Sequence, residues 1–213
     1  MITIQTYPLG PIQTNCYVLI DDATKKAIVV DPGDEGDKIV QLIKDLNVEV
    51  EAVLLTHAHF DHIGAVDAVR DAFDVPVYIH EIEKEWLGNP ALNGSGKYAQ
   101  LPDVINREAD YHLTDETELN IGPFHFKLYH TPGHSPGSVT YHLENHDVAF
   151  VGDVIFRQSI GRTDLVGGSM ETLLKSIHEH ILTMDETTIL YPGHGPVTTP
   201  EMEQDDNPFL NGF

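Results

Sequence analysis

The chain has 213 residues, 41% of them hydrophobic, and 12 lysine and arginine residues stand against 34 aspartate and glutamate residues. The net charge of −22 repels phosphate backbones and anionic lipid headgroups, which argues against binding of nucleic acid or of a membrane surface. A single cysteine, Cys16, excludes an intramolecular disulfide.

Length and hydropathy also predict how the chain is organised. No linker, repeat or low-complexity tract divides the sequence, so residues 1–213 are interpreted as one domain. The N-terminal residues lack a basic segment followed by an apolar one, and no apolar run approaches the ~18 residues that span a bilayer. We therefore expect a cytoplasmic location and no membrane partner.

The first elements in the chain are predicted to be strands. Extended runs occupy Ile2–Tyr7, Cys16–Ile20 and Ala27–Val30, and the third ends at the turn Asp31-Pro32-Gly33-Asp34. The spacing of apolar residues then changes to that of a helix, at Ile39, Leu42, Ile43 and Leu46.

The next segment alternates strand and helix. Ala52–Leu55 is apolar at successive positions, which predicts a strand buried on both faces. A helix is predicted over Gly64–Phe73 and a buried strand over Pro76–His80. Gly88–Asp103 is rich in Gly, Pro, Asn and Ser, which predicts a long surface loop.

The second half of the chain repeats the strand-rich pattern. Strands are predicted at Phe124–Tyr129, Val139–Leu143, Val148–Val151 and Ile189–Tyr191, and a helix over Met170–Leu182. Strands thus outnumber helices, which favours two packed sheets with helices outside. A doubly wound parallel sheet would instead require regular alternation of strand and helix from the first residues.

Four metal-binding side chains crowd into the segment after the strand at Ala52–Leu55. His57, His59, Asp61 and His62 lie within six residues, a density that solvated loop histidines seldom reach. Side chains two apart in extended chain point the same way, so His57 and His59 can hold one ion while Asp61 and His62 point elsewhere. The segment therefore predicts two neighbouring metal sites.

Three further candidate ligands each follow a glycine at the end of a later strand, where the backbone can turn sharply. They are His134, Asp153 and His194. The segment around His134 also fits the nucleophile elbow of serine hydrolases. A strand, not the helix that the elbow requires, is predicted to follow, which argues against Ser135 as a nucleophile.

Together these motifs resemble the metallo-β-lactamase superfamily, and within it the short glyoxalase II-like (hydroxyacylglutathione hydrolase-like) branch. The resemblance runs from Thr14-Asn15-Cys16-Tyr17 and Asp31-Pro32-Gly33 to the last histidine. It implies an α/β fold, a four-layer αββα sandwich, with two zinc ions at one edge, iron or manganese being the alternative metals. It assigns one ion to His57, His59 and His134, the other to Asp61, His62 and His194, and a bridging position to Asp153.

Sequence details narrow the branch. Zinc lactamases usually carry cysteine where this chain has Asp153, and diiron flavoproteins usually carry glutamate where it has His59. Phe156–Asp164 resembles the glyoxalase II segment after the bridging aspartate. The longer glyoxalase II proteins continue into a helical glutathione-binding region, but no lysine or arginine follows Lys175 here, so no such C-terminal domain is expected. Candidate substrate contacts are then Arg157, Arg162 and Lys97, with a structural salt bridge as the alternative role of Arg162.

The implied reaction is hydrolysis of an activated acyl bond. A metal lowers the pKa of bound water from ~15.7 to about 7, so hydroxide rather than a side chain would be the nucleophile. Asp61 is the candidate catalytic residue, because it can orient the hydroxide or take its proton. The expected partner is a small acyl-thiol substrate such as S-lactoylglutathione, and the sequence predicts no oligomeric state.

Three alternatives stay open. A persulfide dioxygenase would use a single iron on the first histidine set and leave Asp61, His62 and His194 idle. A lactonase would use the same dimetal site on cyclic esters. A non-catalytic metal-binding protein would need the ligands but no substrate.

Overall fold

Two β-sheets form the centre of the computed structural model, which describes residues 1–97 and 102–210. The first sheet has six strands in chain order, β1 to β6. Strands β1 to β3 are antiparallel, and β3 to β6 are parallel. Their bounds are Ile2–Leu9, Thr14–Asp21, Lys26–Val30, Glu49–Leu54, Val77–His80 and Tyr111–Leu113.

The second sheet has five strands in the order β13, β10, β9, β8, β7. Only β10 and β13 pair in parallel, so β8, β10 and β13 run in one direction. The bounds of β7 to β10 are Glu118–Ile121, Phe124–His130, Val139–Leu143 and Val148–Gly152, and β13 is Ile189–Pro192. The hairpin of β11 (Ile155–Phe156) and β12 (Ser159–Ile160) follows β10.

The helices lie in the connections. Their bounds are α1 Gly36–Asp45, α2 Phe60–Ile63, α3 Val66–Phe73, α4 Pro90–Asn93, α5 Met170–Ser176 and α6 Pro200–Asp206. Helix α5 continues as a π-helical stretch, Ile177–Ile181, and short 3-10 turns occupy Glu81–Glu83, Ser95–Lys97 and Glu144–His146. Ser169 and Thr199 cap α5 and α6, each accepting a backbone N–H three residues on.

Three apolar clusters define four layers. One packs α1 and α3 against the outer face of the first sheet, the second lies between the sheets, and the third packs α5 against the outer face of the second sheet. Neighbours along β2 alternate between clusters, with Val18 in the first and Leu19 in the second, because successive strand side chains point to opposite faces. The predicted αββα sandwich is confirmed.

Several sequence predictions need correction. The helix predicted over Gly64–Phe73 is α3, which begins two residues later at Val66, and the sequence did not predict the short helix α2 before it; Gly64 separates the two, where a Cβ would clash with the Gly33 carbonyl oxygen. The loop predicted over Gly88–Asp103 contains α4 and a 3-10 turn and buries Asn93 completely, and its residues 98–101 lie outside the described part. Across residues 1–97 and 102–210, no helix has the length and apolar character that crossing a bilayer requires.

Candidate metal centre

The fold brings the seven predicted ligands to one edge of the sandwich. Strands β8, β10 and β13 share a direction, so the segments after them meet, and they carry His134, Asp153 and His194. The other four follow β4 of the facing sheet, two before α2 and two within it.

The ligand atoms form two groups joined by Asp153. In each group the atoms lie within 4.8 Å of one another, and the same holds for a third set that contains Asp153. Asp153 Oδ1 is 3.4 Å from His62 Nε2, and Asp153 Oδ2 is 3.4 Å from His134 Nε2 and 3.5 Å from His194 Nε2. The two groups are His57, His59 and His134, and Asp61, His62 and His194, as the resemblance implied.

Hydrogen bonds around Asp31 determine which ring nitrogens of two histidines carry protons. Thr56 Oγ1 donates to Asp31 Oδ2 at 2.6 Å, so at 3.1 Å it can only accept from His57 Nδ1. His62 Nδ1 lies 2.9 Å from the same carboxylate oxygen and donates to it. His57 therefore presents the lone pair of Nε2, which is the form that binds a metal. Despite burial, the carboxylates of Asp61, Asp153 and Asp31 raise the pKa of His62, so a bound cation would replace the proton on its Nε2.

His134 is oriented in the same way by a backbone group. Its Nδ1 lies 2.8 Å from the carbonyl oxygen of Arg162, which can only accept, so His134 Nε2 carries a lone pair. That atom lies 2.9 Å from Nδ1 of His59. Because His134 Nε2 accepts, His59 Nδ1 is the donor in this contact.

Unpartnered buried atoms test whether these residues fit metal ions. His57 Nε2, His62 Nε2 and Asp153 Oδ1 are buried without a hydrogen-bond partner. Such atoms destabilise a fold unless something binds them, and two imidazole nitrogens beside a carboxylate suit a divalent cation. The donor set fits the metals that the resemblance implies.

The pKa values follow from burial and from the carboxylates. Burial lowers the pKa of His57 and His134, which keeps both imidazoles neutral. Burial also acts on His194, but Asp153 and Asp61 outweigh it and raise its pKa to about 9. The carboxylates therefore attract positive charge to this end of the centre, which a bound cation would supply.

Thr14 and His194 contact the same carboxylate oxygen of Asp61. Thr14 Oγ1 donates to its Oδ2 at 2.8 Å, and His194 Nε2 lies 3.2 Å from the same atom. Despite the cost of burial, His62 and these hydrogen bonds lower the pKa of Asp61 to about 2, so it is a carboxylate at neutral pH. Its side chain is 12% exposed and reaches the cavity described below.

Two buried acids that support the centre escaped the sequence analysis. Asp31 was interpreted only as part of a turn, yet it orients His62 and Thr56. Glu83 was not singled out, and it is completely buried. Its oxygens accept from the backbone N–H groups of Ala58 and Gly137, each at 2.7 Å.

Glycine is required in the ligand loops where a side chain would have no room. A Cβ on Gly193 would clash with the Asp153 carboxylate and with the His62 ring.

Ser135 is buried, and its hydroxyl pairs with that of Ser138 ahead of strand β9, which agrees with its rejection as a nucleophile.

A cavity of about 700 Å³ opens over both ligand groups. Lys97 and Arg162, both exposed, line it, and Arg157 is not among its described lining residues but lies exposed after β11. Arg162 forms a two-point ion pair with Asp164, at 2.7 and 2.8 Å. The structural salt bridge considered as its alternative role is therefore present, and the guanidinium still borders the cavity.

Comparisons with known proteins agree with this geometry. The model of the metallo-β-lactamase superfamily matches residues 9–194. A probable metallo-hydrolase of Bacillus subtilis, YqgX, is 54% identical over 97% of this chain and 96% of its own length, and the hydroxyacylglutathione hydrolase GloC of Haemophilus influenzae is 35% identical over 99% of each. The crystal structure of the B3 metallo-β-lactamase BLEG-1 is similar with a TM-score of 0.96 and 53% identity, covering 99% of this chain and 100% of that one.

Proposed function

The chain belongs to the metallo-β-lactamase superfamily, and from that premise we propose that it hydrolyses S-acyl thiol conjugates with two divalent metal ions. The observation that carries the proposal is the convergence of buried, unpartnered ligand atoms on the edge of the sandwich. They lie in two groups that share a carboxylate, which is the arrangement that two-metal hydrolysis requires.

The proposed metal is zinc. Imidazole and carboxylate are ordinary zinc ligands, and hydrolysis needs no change of oxidation state; iron or manganese would accept the same donors. When bound, two such ions lower the pKa of water and stabilise the negative charge that develops on an acyl oxygen. The proposed ligand sets are His57, His59 and His134 for one ion, Asp61, His62 and His194 for the other, and Asp153 for both.

Asp61 is the proposed catalytic residue. Thr14 fixes the orientation of its carboxylate, whose low pKa leaves it free to accept a proton. In the proposed reaction it orients the attacking water and takes its proton. The water oxygen bonds to the carbonyl carbon, the C–S bond breaks, and the departing thiolate is protonated, which yields a carboxylic acid and a thiol.

The similarity to the hydroxyacylglutathione hydrolase GloC supports a thioester as the substrate. S-lactoylglutathione, or the ester of another thiol, is therefore the proposed substrate class. Lys97 and Arg162 border the cavity and are proposed to attract a carboxylate of the thiol carrier. A small molecule fits the overall charge of −22 better than a polyanion such as nucleic acid.

A second candidate function is β-lactam hydrolysis. The 53% identity to the lactamase BLEG-1 favours this function. The same identity weakens the argument against a lactamase that was based on Asp153 standing where zinc lactamases usually carry cysteine. The chemistry is related, because water would again attack an activated carbonyl carbon.

One experiment separates these functions: metal analysis of the purified protein, followed by assay against thioesters, lactones, β-lactams and glutathione persulfide. We expect two zinc ions per chain and the highest kcat/KM with a thioester. One iron per chain with oxygen uptake on the persulfide would support the dioxygenase, and faster turnover of a lactam or lactone would replace the thioester. No turnover by fully loaded protein would leave a metal-binding role.

A further inference from the structure

The walls of the cavity above the ligand groups are largely apolar. They include Ile12, Phe60, Leu92, Phe156, Leu165 and Val166. Two of these side chains remain open to solvent, Ile12 at 49% and Val166 at 37% of full exposure. Apolar side chains that surround a cavity and face water are typical of a surface that a ligand covers.

Two polar side chains in the same walls, Asn93 and Arg162, are engaged with the protein. Asn93 is fully buried; its amide nitrogen donates to the carbonyl oxygens of Trp86 and Val104, and its amide oxygen accepts from Ser95. Arg162 is held by Asp164 through two contacts. Apart from the candidate metal ligands, Lys97 and Ser159, the described walls offer a substrate hydroxyl no free polar side chain, and burying a hydroxyl without a partner is unfavourable.

We propose that the cavity takes thioesters whose acyl group is apolar, an aliphatic chain or an aromatic ring, in preference to hydroxyacyl groups such as lactoyl. This inference rests on the proposed thioester hydrolysis. Thiol carriers are polar and charged, so the acyl group is the part of a thioester that can supply an apolar surface. The carrier would then extend toward the exposed Lys97 and Arg162 at the cavity border.

The test compares acetyl, butyryl, hexanoyl and lactoyl esters of one small neutral thiol with the metal-loaded protein. Each fully buried methylene contributes ~0.8 kcal/mol, so kcat/KM should rise by up to about fourfold per methylene. With about half of each added methylene buried, hexanoyl should exceed acetyl by roughly tenfold or more. Lactoyl should react more slowly than butyryl.

Wall variants test whether the cavity causes this preference. Ile12→Gln and Val166→Gln should lower the ratio of hexanoyl to acetyl kcat/KM severalfold. Ile82→Gln is the matched control, because Ile82 is 51% exposed and is not among the described lining residues. A ratio that falls equally in the control would overturn the role of the cavity.

Failure of the inference is distinguishable from failure of the proposed function. Thioester hydrolysis with a flat acyl series, or with lactoyl preferred, would overturn the inference alone, whereas no hydrolysis of any thioester would overturn the function. Calorimetric binding of S-methyl and S-hexyl thioethers of the same thiol needs no turnover. Tighter binding of the hexyl compound with a more negative heat-capacity change supports the apolar site, and equal binding overturns it.

Discussion

Glu83→Gln tests whether a buried carboxylate holds the two ligand loops together. Each carboxylate oxygen accepts one backbone N–H at 2.7 Å, from Ala58 between the first two histidines and from Gly137 after His134. Burial raises the pKa of Glu83, whereas bonds from Ser135 and from these N–H groups favour its charged form. Glutamine keeps the shape but turns one acceptor into a donor.

The magnitude follows from the lost contact. A hydrogen bond to a charged group contributes ~1.5–3 kcal/mol, and one backbone N–H would face an amide NH₂ instead. We expect the free energy of unfolding to fall by about 2–3 kcal/mol, and Tm to fall by roughly 5–10 °C for a chain of this size. The spacing of the three histidines would also loosen, which should weaken binding at the first metal group about tenfold or more.

Thermal unfolding and metal competition with a chromophoric chelator measure the two effects. Glu81→Gln is the matched control, because Glu81 lies in the same short turn, is half exposed and pairs only loosely with Lys84 at 3.2 Å. The control should change stability by no more than about 0.5 kcal/mol. If Glu83→Gln unfolds and binds metal like the control, the proposed role of Glu83 is wrong.

Three further predictions address other parts of the molecule. Asp61→Asn should keep the fold by circular dichroism and lower thioester kcat/KM about 10²–10⁴-fold, and unchanged activity would contradict its assigned role. Asp31→Asn should weaken metal affinity about 10–100-fold in the same chelator assay. The amide cannot accept all three hydrogen bonds that the Asp31 carboxylate accepts, two from Thr56 and one from His62 Nδ1. Asparagine tolerates the φ of +49° at this position, so the backbone should not be strained. Burial, and next the neighbouring His130, lower the pKa of His80 to about 4, and His80 Nδ1 accepts the Ile82 N–H. The unfolded chain therefore binds this proton more readily than the folded protein, so the free energy of unfolding should fall as pH drops from about 6.5 through 4. His80→Asn, which keeps the acceptor, should lose that component of the pH profile in denaturant titrations, and parallel profiles would contradict it.

The candidate ligands could be recognised in the sequence because the signals for them are local. Histidines at 57 and 59 and glycines before residues 134, 153 and 194 carry the pattern without knowledge of distant contacts. The buried central strands were predictable for the same reason, since Ala52–Leu55 is apolar at every position. Both kinds of signal depend on neighbours in the chain.

Short peripheral elements gave weaker signals. Strand β6, Tyr111–Leu113, pairs only with β5 among the described strands, and its first two residues are exposed, so alternation over three residues is too brief to recognise. Helix α6 did carry a start signal, the capping Thr199 followed by Pro200, which the sequence analysis did not use. The start of α6 could therefore have been predicted from the sequence.

The supporting acids could not be predicted because their partners are distant in sequence. Nothing near Glu83 indicates that its carboxylate reaches Gly137, 54 residues away, and Asp31 meets His62 only when β3 pairs with β4. In a pattern of residue types each is one acid among 34. Their roles follow from burial, which requires every polar atom to find a partner.

The two ligand groups are held by supports from several parts of the fold. Glu83 and the Arg162 carbonyl orient the loops of the first group, and Asp31 and Thr14 orient side chains of the second. Asp31 also reaches His57 of the first group through Thr56, so both groups depend on the segment that follows β3. Asp153 contacts members of both groups, and it lies at the end of β10, between the loops that follow β8 and β13. The two groups also touch directly, because the His57 and His62 ring centroids are 4.1 Å apart. The proposed centre for two ions therefore needs both sheets, which explains why the candidate ligands, spread from residue 57 to residue 194, converge only in the folded sandwich.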